Sequence, residues 1–222
     1  MLNSILTEIT NNKYGVEIGG ISTSGLIIYK NALSIDNVVF SKNTVWSNQT
    51  DLYNFYEGKS GKVIINDAVN ITNVKNETYD FCFSSHSLEH IANPLKAINE
   101  WLRIIKKGGY IIIIVPEKSL CFDHRRKYSS FSTLFSQYEK NVGEDDLSTL
   151  REILTFHDLN KDLPAGNFTE FTIRSLNNYN NRCLHHYVYN DELLINICKF
   201  FKCDFIYKEL IEVDRYFIMK KN

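Results

Sequence analysis

Residues 79–116 constrain the fold of this 222-residue chain more than any other segment. The segment begins with a short apolar run at residues 79–83 and ends with a second one at residues 110–115. Between them, Asn93 and Pro94 are typical of a helix start, because asparagine caps free N–H groups and proline fits the first helical position. The segment therefore predicts two parallel strands joined by a helix, which is the repeating unit of an open α/β sheet.

The predicted helix should bury one face, because its apolar residues recur at helical spacing: Leu95, Ile98, Leu102 and Ile105. Two lysines and two glycines follow at residues 106–109. Lysine is favoured in the last turn of a helix, and glycine is favoured just beyond it. We therefore expect the helix to continue through the lysines and to end at the glycines.

Residues 84–90 follow the first of these strands and are too polar to extend it. Open α/β sheets bind ligands at the carboxyl ends of their strands, so this cluster is a candidate site. His86 could act there as an acid or base near neutral pH. His86 and His90 are four residues apart and could share a helix face as metal ligands, but the pattern lacks a third protein ligand, and we expect no metal.

Three short strands precede this unit at residues 14–18, 36–40 and 62–66, and residues 203–210 and 215–219 predict a closing hairpin. Alternation of strands and helices is typical of the α/β class. The expected fold is a doubly wound, mostly parallel, seven-stranded sheet with a helical insertion and an antiparallel C-terminal strand.

Composition narrows the function classes. Lysine and arginine total 25 against 26 acidic residues, a formal net charge of -1, which argues against nucleic-acid binding. The longest apolar run is too short for a bilayer, and the first ten residues do not resemble a signal peptide. The five cysteines lack C-x-x-C spacing, as expected for reduced thiols in a cytoplasmic protein. Assembly into a homo-oligomer stays open.

Two loops after the early strands carry candidate ligand contacts. Gly19 and Gly20 follow Glu17 at the end of the first strand, where glycine permits a tight turn and close approach to a ligand. The same pair could be a plain turn. Asp67, followed by Ala68, comes after the third strand, and its carboxylate could bind an amine of a base or simply cap a helix.

Residues 120–189 lose the strand pattern and are too long for a simple connection. We expect a helical cap over the site, with helices at residues 131–140 and 145–155. The predicted organisation is a core at residues 1–119, the cap at residues 120–189, and the rest of the core at residues 190–222.

The cap holds four of the six histidines: one lies beside an acid and two arginines at residues 123–126, one beside an aspartate at 157–158, and two form a pair at 185–186. One interpretation is a set of surface ion pairs that contribute little to stability. The other is an acceptor pocket, in which arginine holds phosphate or carboxylate and a histidine with an aspartate partner removes a proton. The clustering favours the second interpretation.

Five segments in chain order resemble the class I S-adenosylmethionine-dependent methyltransferases: residues 17–20, Asp67, and residues 79–90, 93–97 and 106–110. The similarity covers about the first half of the chain, and residues 84–109 are its most specific part. It implies the Rossmann-like methyltransferase fold, with S-adenosyl-L-methionine as the cofactor.

The resemblance implies a cofactor site built from several loops. Its implied members, from the methionine end through the methyl donor to the adenine, are Glu17, Gly19, Gly20, Ser84, Ser85, Asp67 and Ala68. Two departures stand out. Ile21 and Thr23 replace later glycines of the first motif, and the ribose-binding acid after the second strand has no match. Ser41 and Asn43 are the candidates in its place.

The cap, at residues 122–126, 142–147, 157–159 and 181–186, resembles a branch of that family often associated with bacterial surface-polysaccharide gene sets. The implied reaction moves a methyl group to an oxygen or nitrogen of a small polar acceptor, a sugar or nucleotide-linked sugar. The sulfonium is a good leaving group, so the protein mainly aligns and desolvates the reactants.

A base helps when the acceptor is a hydroxyl, because its proton must leave. The candidates are His185, His157 and His86, in that order, with Asp123 or Asp158 as the orienting acid.

Two rival functions remain open. A nicotinamide-dependent oxidoreductase would need a G-x-G-x-x-G turn, which residues 19–25 do not provide. A catalytically idle cofactor-binding or scaffold protein of the same fold is favoured by the altered glycine motif and the missing ribose acid. The clustered histidines of the cap argue against it.

Overall fold

The computed structural model describes residues 1–44 and 50–222. The strands within these residues are β1 (Tyr14–Ile18), β2 (Ser34–Val39), β3 (Leu52–Tyr56), β4 (Lys59–Ile65), β5 (Tyr79–Ser85), β6 (Ile105–Pro116), β7 (Asp204–Ile211) and β8 (Asp214–Lys220). The α-helices are α1 (Leu2–Thr10), α2 (Leu26–Asn31), α3 (Pro94–Ile104), α4 (Phe131–Glu139), α5 (Leu150–Phe156), α6 (Phe168–Leu176), α7 (Asn178–Asn181) and α8 (Asp191–Phe200).

The described strands form one sheet of eight in the order β3-β4-β2-β1-β5-β6-β8-β7. The central strands β4, β2, β1, β5 and β6 pair in parallel. Strand β8 is antiparallel to both β6 and β7, which confirms the antiparallel C-terminal strand. The sheet has one strand more than the predicted seven, because β3 forms a hairpin with β4 at the edge.

Helices cover both faces of the sheet, as the doubly wound prediction requires. Successive residues of a strand point to opposite faces, so a continuous apolar run can bury both of its sides. In β6, Ile111 and Ile113 pack with α3 and α8, whereas Ile112 and Ile114 pack with α1 and α2. This arrangement leaves the carboxyl ends of the parallel strands as the open edge.

Helix α3 begins where the sequence predicts. The Asn93 side chain accepts a hydrogen bond of 3.2 Å from the Lys96 N–H, and Pro94 is the first helical residue. The Asn93 amide also approaches the carbonyls of Gln137 and Val142 at 3.4 Å. One side chain therefore caps α3 and ties it to the segment that follows α4.

The predicted end of α3 at Gly108 and Gly109 is wrong. The helix ends at Ile104, and β6 begins at once. Gly108 has a φ of +72°, and a Cβ on Gly109 would lie 2.7 Å from the Asp80 carbonyl oxygen. The two glycines therefore allow β6 to pass close to β5, rather than ending the helix.

Residues 117–190 form helices α4–α7 and three short 3₁₀ turns, with no strand in this fully described segment. Helix α4 packs on the core, where Phe131 and Phe135 contact Phe200 of α8. Helices α5 and α6 surround a separate small core that contains Ile153 and Phe171. Helix α5 begins at Leu150 rather than at residue 145. Among the described residues, no helix is both long and apolar enough to cross a bilayer.

We expect Asn93→Ala to lower the free energy of unfolding by about 1–2 kcal/mol, because it removes the α3 cap and two further contacts. Urea denaturation at neutral pH measures this change. The matched control is Asn99→Ala on the exposed face of the same helix, which should stay within about 0.5 kcal/mol of the wild type. Equal stability of the two variants would contradict the role given to Asn93.

Candidate active site

A cavity of about 340 Å³ opens at the carboxyl ends of β1, β2, β4 and β5. Parallel strands all end at this edge, so their loops converge there. Its lining includes Gly19, Gly20, Phe40, Thr44, Asn66, Asp67, Ala68, Ser85, His86, Ser87, His90 and Ile91 from the core, and Glu144 and Arg182 from the segment between β6 and α8. We call it the first cavity.

Gly19 provides the closest approach of backbone to this cavity. Its φ is +106°, and a Cβ would lie 2.0 Å from the Ser87 Oγ. Its N–H donates to the Val38 carbonyl at 2.9 Å, which continues the pairing of β1 with β2 beyond the end of β1. A larger residue would strain the turn and collide with Ser87, which also lines the cavity.

Glu17 lies outside the lining of the first cavity. Its side chain is fully buried on the face of the sheet covered by α1 and α2. The Tyr29 hydroxyl donates to its Oε1 at 2.8 Å, and the Tyr53 hydroxyl donates to its Oε2. Burial raises the pKa of Glu17 to about 8, although both tyrosine hydrogen bonds act to lower it. The carboxyl group is therefore largely protonated at neutral pH.

Three other candidate cofactor residues also lie outside this lining: Ser41, Asn43 and Ser84. The Asn43 N–H approaches the Ser41 Oγ at 3.3 Å, so these two residues form a local turn after β2. Ser84 is completely buried within β5. The next residue, Ser85, does line the cavity, and its Oγ is a buried atom without a hydrogen-bond partner.

Asp67 and Ala68, which follow β4, line the first cavity. The Asp67 Oδ1 accepts the Val69 N–H at 3.1 Å, and Oδ2 accepts from Arg182 Nη2 at 3.2 Å. The Arg182 guanidinium also lies 5.1 Å from the centre of the Phe40 ring. An arginine from beyond α7 thus reaches across the cavity to the ends of two strands.

A second cavity of about 360 Å³ is lined by residues of the segment between β6 and α8, together with His90. Its lining residues are His90, Phe122, Asp162, Pro164, Arg174, Cys183 and His185. His90 lines both cavities, so its ring borders each of the two spaces. The second cavity brings cationic, acidic and aromatic groups together, which suits a polar ligand.

His185 lines the second cavity and is held by a buried acid. Its Nδ1 lies 2.6 Å from Asp123 Oδ2, and its ring meets His90 edge-on with centroids 4.5 Å apart. Arg126 Nη1 donates to Asp123 Oδ1 at 2.9 Å. Burial raises the pKa of Asp123, but His185 and Arg126 outweigh it and hold this pKa well below its usual range. A charged Asp123 fixes the proton on Nδ1, which leaves Nε2 with the free lone pair.

The other two candidate bases are held differently. His157 bonds Asp162 at 3.0 Å, and its ring lies between Phe122 and Phe171, so it packs the inside of the cap segment. His86 lines the first cavity with a φ of +49°, and its Nε2 lies 2.8 Å from Asp214. Burial lowers the pKa of His86, but the carboxylates of Asp214 and Glu89 outweigh it and raise the pKa above its ordinary value.

Glu89, His90 and His185 form a cluster that could hold a metal ion, since one ligand atom of each lies within 4.8 Å of the others. Glu89 is 1% exposed, and neither of its carboxylate oxygens has a hydrogen-bond partner. Burial raises the pKa of Glu89, against the opposing effect of His185 and His86. The spacing in the sequence suggests only His86 with His90 as a metal pair, because His185 lies nearly a hundred residues further along the chain.

Comparisons with known proteins agree with this architecture. Residues 35–113 match the family model described as a methyltransferase domain. No curated protein matches the chain. Among solved structures, a methyltransferase from Mesorhizobium loti matches with a TM-score of 0.56 and 9% identity, over 99% of this chain and 96% of the other.

Two further solved S-adenosylmethionine-dependent methyltransferases show the same fold. One from Aquifex aeolicus has a TM-score of 0.51 and 12% identity, over 99% of this chain and 88% of the other. One from Thermotoga maritima has a TM-score of 0.50 and 16% identity, over 98% and 92%. Residues 35–113 are thus similar to a methyltransferase domain, and the chain as a whole has the fold of solved S-adenosylmethionine-dependent methyltransferases.

The first cavity has the room and the polar groups that a cofactor such as S-adenosylmethionine would need. Gly19 leaves room that a Cβ would fill, and the cavity volume lies in the range of small-molecule sites. Three buried oxygens of residues that line it, Ser22 Oγ, Ser85 Oγ and Glu144 Oε2, lack hydrogen-bond partners. Sequence reasoning missed Glu144 and Arg182 as cavity residues. Both lie in the segments whose resemblance suggested a polysaccharide-related branch, which was the one available signal.

We expect the stability of this protein to fall as pH rises from about 5 to about 8, because of Glu17. The folded state keeps its proton up to a pKa of about 8, against 4.5 ordinarily, so it binds more protons than the unfolded state over this interval. The slope should approach about 1.4 kcal/mol per pH unit.

Urea unfolding of the wild type and of Glu17→Gln at a series of pH values tests this expectation. The amide does not titrate, so the variant should become more stable relative to the wild type as pH rises. A difference that stays constant from pH 5 to pH 8 would show that Glu17 does not carry a raised pKa.

Proposed function

We propose that this protein is an S-adenosylmethionine-dependent methyltransferase that transfers a methyl group to an oxygen or nitrogen of a small polar acceptor, a sugar or nucleotide-linked sugar. The observation that carries the proposal is that His90 lines both cavities and contacts His185, which lines the second. The first cavity would hold the cofactor, and the second would hold the acceptor. The cap of residues 120–189 would then supply acceptor specificity.

S-adenosylmethionine supplies an electrophilic methyl group on a sulfonium when it is bound. Gly19 and Gly20 would approach its amino-acid end, and Asp67 with Ala68 would contact its adenine. Ser85 would border the methyl group from the end of β5. Glu17 would act from behind the sheet by holding Tyr29 and Tyr53 under the β1 turn, because its own carboxyl group faces those hydroxyls.

Ser41, Asn43 and Ser84 stay candidates for the edge of this site. The first two shape the turn after β2, next to Phe40 and Thr44, which line the cavity. Ser84 supports β5 from inside the sheet.

His185 is the proposed proton acceptor. It lines the second cavity, and Asp123 orients it and would stabilise the charge that its ring gains. Arg126 in turn donates hydrogen bonds to Asp123 and, at 2.7 Å, to the His185 carbonyl oxygen. The ring and the backbone of His185 are therefore held by the same pair of residues. His86 would serve as a secondary acid or base on the cofactor side, and His157 as a positioning group through Phe122.

A sugar-like acceptor is supported by the chemistry of the second cavity. Arg174, which donates to Asp162 at 3.1 Å, offers N–H donors beside a carboxylate acceptor. Hydroxyl groups both donate and accept, so they match such mixed surfaces. A phosphate of a nucleotide-linked sugar would match Arg174. The link to surface glycans rests on the resemblance of the cap alone.

The alternative is a catalytically idle protein that binds the cofactor as a scaffold. Incubation of the purified protein with S-adenosylmethionine and bacterial nucleotide-sugar pools, followed by mass spectrometry, separates the two. The proposal expects one pool member to gain the mass of one methyl group. Calorimetric binding of the cofactor without any methylated product would favour the scaffold.

We expect His185→Ala to reduce turnover by roughly 10²- to 10⁴-fold, because it removes the proton acceptor. Calorimetry should show unchanged affinity for S-adenosylmethionine. His124→Gln is the matched control, since His124 bonds Asp158 at 2.9 Å in the same segment and lines neither cavity. Full activity of His185→Ala with loss of activity in His157→Ala would move the base to His157.

We also expect chelation with EDTA to leave turnover unchanged. A metal held by Glu89, His90 and His185 would occupy the ring nitrogen that the proposed base needs. Turnover before and after EDTA dialysis, with Zn²⁺ or Mn²⁺ added back, measures this. If dialysis abolished turnover and a metal restored it, His185 would be a metal ligand rather than a base.

A further inference from the structure

We propose that Glu144, a residue of the cap, binds the adenosine part of the cofactor by accepting a hydrogen bond from one of its O–H or N–H donors. The proposal rests on the proposed function, because it takes the first cavity to be the cofactor site. Of the described residues that line this cavity, Asp67 and Glu144 are the two carboxylates. Glu144 comes from the loop between α4 and α5, far in sequence from the strand ends.

The Glu144 side chain is fixed by a hydrogen bond at one oxygen, whereas the other makes no hydrogen bond and only approaches Arg182 Nη1 at 3.3 Å and His186 Nε2 at 3.9 Å. Its Oε1 accepts the buried Ala92 N–H at 3.0 Å, and the residue is 6% exposed. Its Oε2 is buried and has no hydrogen-bond partner. A buried oxygen that accepts no hydrogen bond has lost its hydration without replacement, which is unfavourable, so native structures contain few such oxygens. A donor on a bound ligand would satisfy it.

Arg182 places this oxygen at the adenosine end of the cavity. Its Nη1 lies 3.3 Å from Glu144 Oε2, a contact close enough for an ion pair but without hydrogen-bond geometry. Its Nη2 donates to Asp67, and its guanidinium lies near the Phe40 ring. One side chain thus connects Glu144 with the ends of β2 and β4, on the side away from Gly19.

A carboxylate oxygen only accepts, so the matching ligand group must donate. Adenosine offers three such groups, which are two ribose hydroxyls and the exocyclic amine. Both oxygens of Asp67 already accept hydrogen bonds, from Val69 and from Arg182, whereas one oxygen of Glu144 accepts none. Glu144 is therefore the better-prepared acceptor, and it makes the cap part of the cofactor site.

Glu144→Gln tests this assignment without removing the anchor. The Ala92 N–H needs an acceptor, so the amide oxygen must stay at the Oε1 position and the NH₂ group must replace Oε2. The variant therefore presents a donor where the proposal requires an acceptor. Asp145→Asn, on the exposed neighbouring residue, is the matched control with the same change of charge.

Calorimetry should measure the affinities of wild type, Glu144→Gln and Asp145→Asn for S-adenosylhomocysteine. We expect Glu144→Gln to bind about 10- to 100-fold more weakly, the scale of a hydrogen bond to a charged group, and Asp145→Asn to bind like the wild type. Equal binding by Glu144→Gln and the wild type would overturn the inference. Absence of binding to the wild type would instead refute the proposed function.

Adenosine, 2′-deoxyadenosine, 3′-deoxyadenosine and inosine then identify the donor. The analogue that lacks this donor should bind the wild type more weakly than adenosine does. Glu144→Gln should bind the analogue and adenosine equally well, because the interaction is already gone in the variant. Coupling with a deoxy analogue assigns a ribose hydroxyl, and coupling with inosine assigns the amine. If each analogue lost the same factor in both proteins, Glu144 would act only by holding Arg182, and the inference would be wrong.

Discussion

Parallel pairing of the central strands is the constraint on which the rest of this molecule depends. Because β4, β2, β1 and β5 run in the same direction, their following loops meet at one edge of the sheet. Helices occupy both faces, so the open edge is where a ligand can enter. Gly19, Asp67 and Ser85 come from three different strand ends and reach one cavity for this reason. In the proposed function, the acceptor would approach from outside that edge, on the side of residues 120–189.

Arg126 organises the cap from within. It is 2% exposed and bonds Asp123, Glu152 and the carbonyl oxygens of His185 and His186. A buried guanidinium is costly unless its donors are satisfied, and here it gathers acceptors from its own loop and from two distant segments. The same contacts hold His185 against His90, which lines both cavities. Stability of the cap and alignment of the proposed base therefore have one physical origin.

Several buried polar groups around the cavities lack hydrogen-bond partners, which sets them apart from buried groups that support the fold with every polar atom engaged. Glu17 and Arg126 have their polar atoms engaged by neighbours, whereas Glu89 and one oxygen of Glu144 do not. A folded protein tolerates such groups where a ligand or a proton completes them. Glu144 faces the first cavity, and Glu89 lies against the histidines between the two cavities. In the proposed function, ligand binding and proton transfer would both take place where the fold leaves acceptors without hydrogen bonds.

The sequence by itself determined the α/β class, the strand that ends at Gly19, the Asn93 cap of α3 and the positions of Asp67 and Ser85, because each depends on local spacing or turn chemistry. It misplaced the end of α3, since glycines that permit close passage of β6 beside β5 look the same as glycines that stop a helix. It could not show that Glu17 faces Tyr29 and Tyr53, or that Glu144 and Arg182 reach the first cavity. Those facts were decided only by the tertiary structure, because the direction of a side chain and its partners depend on which distant segments pack beside it, and no periodicity in the chain records that packing.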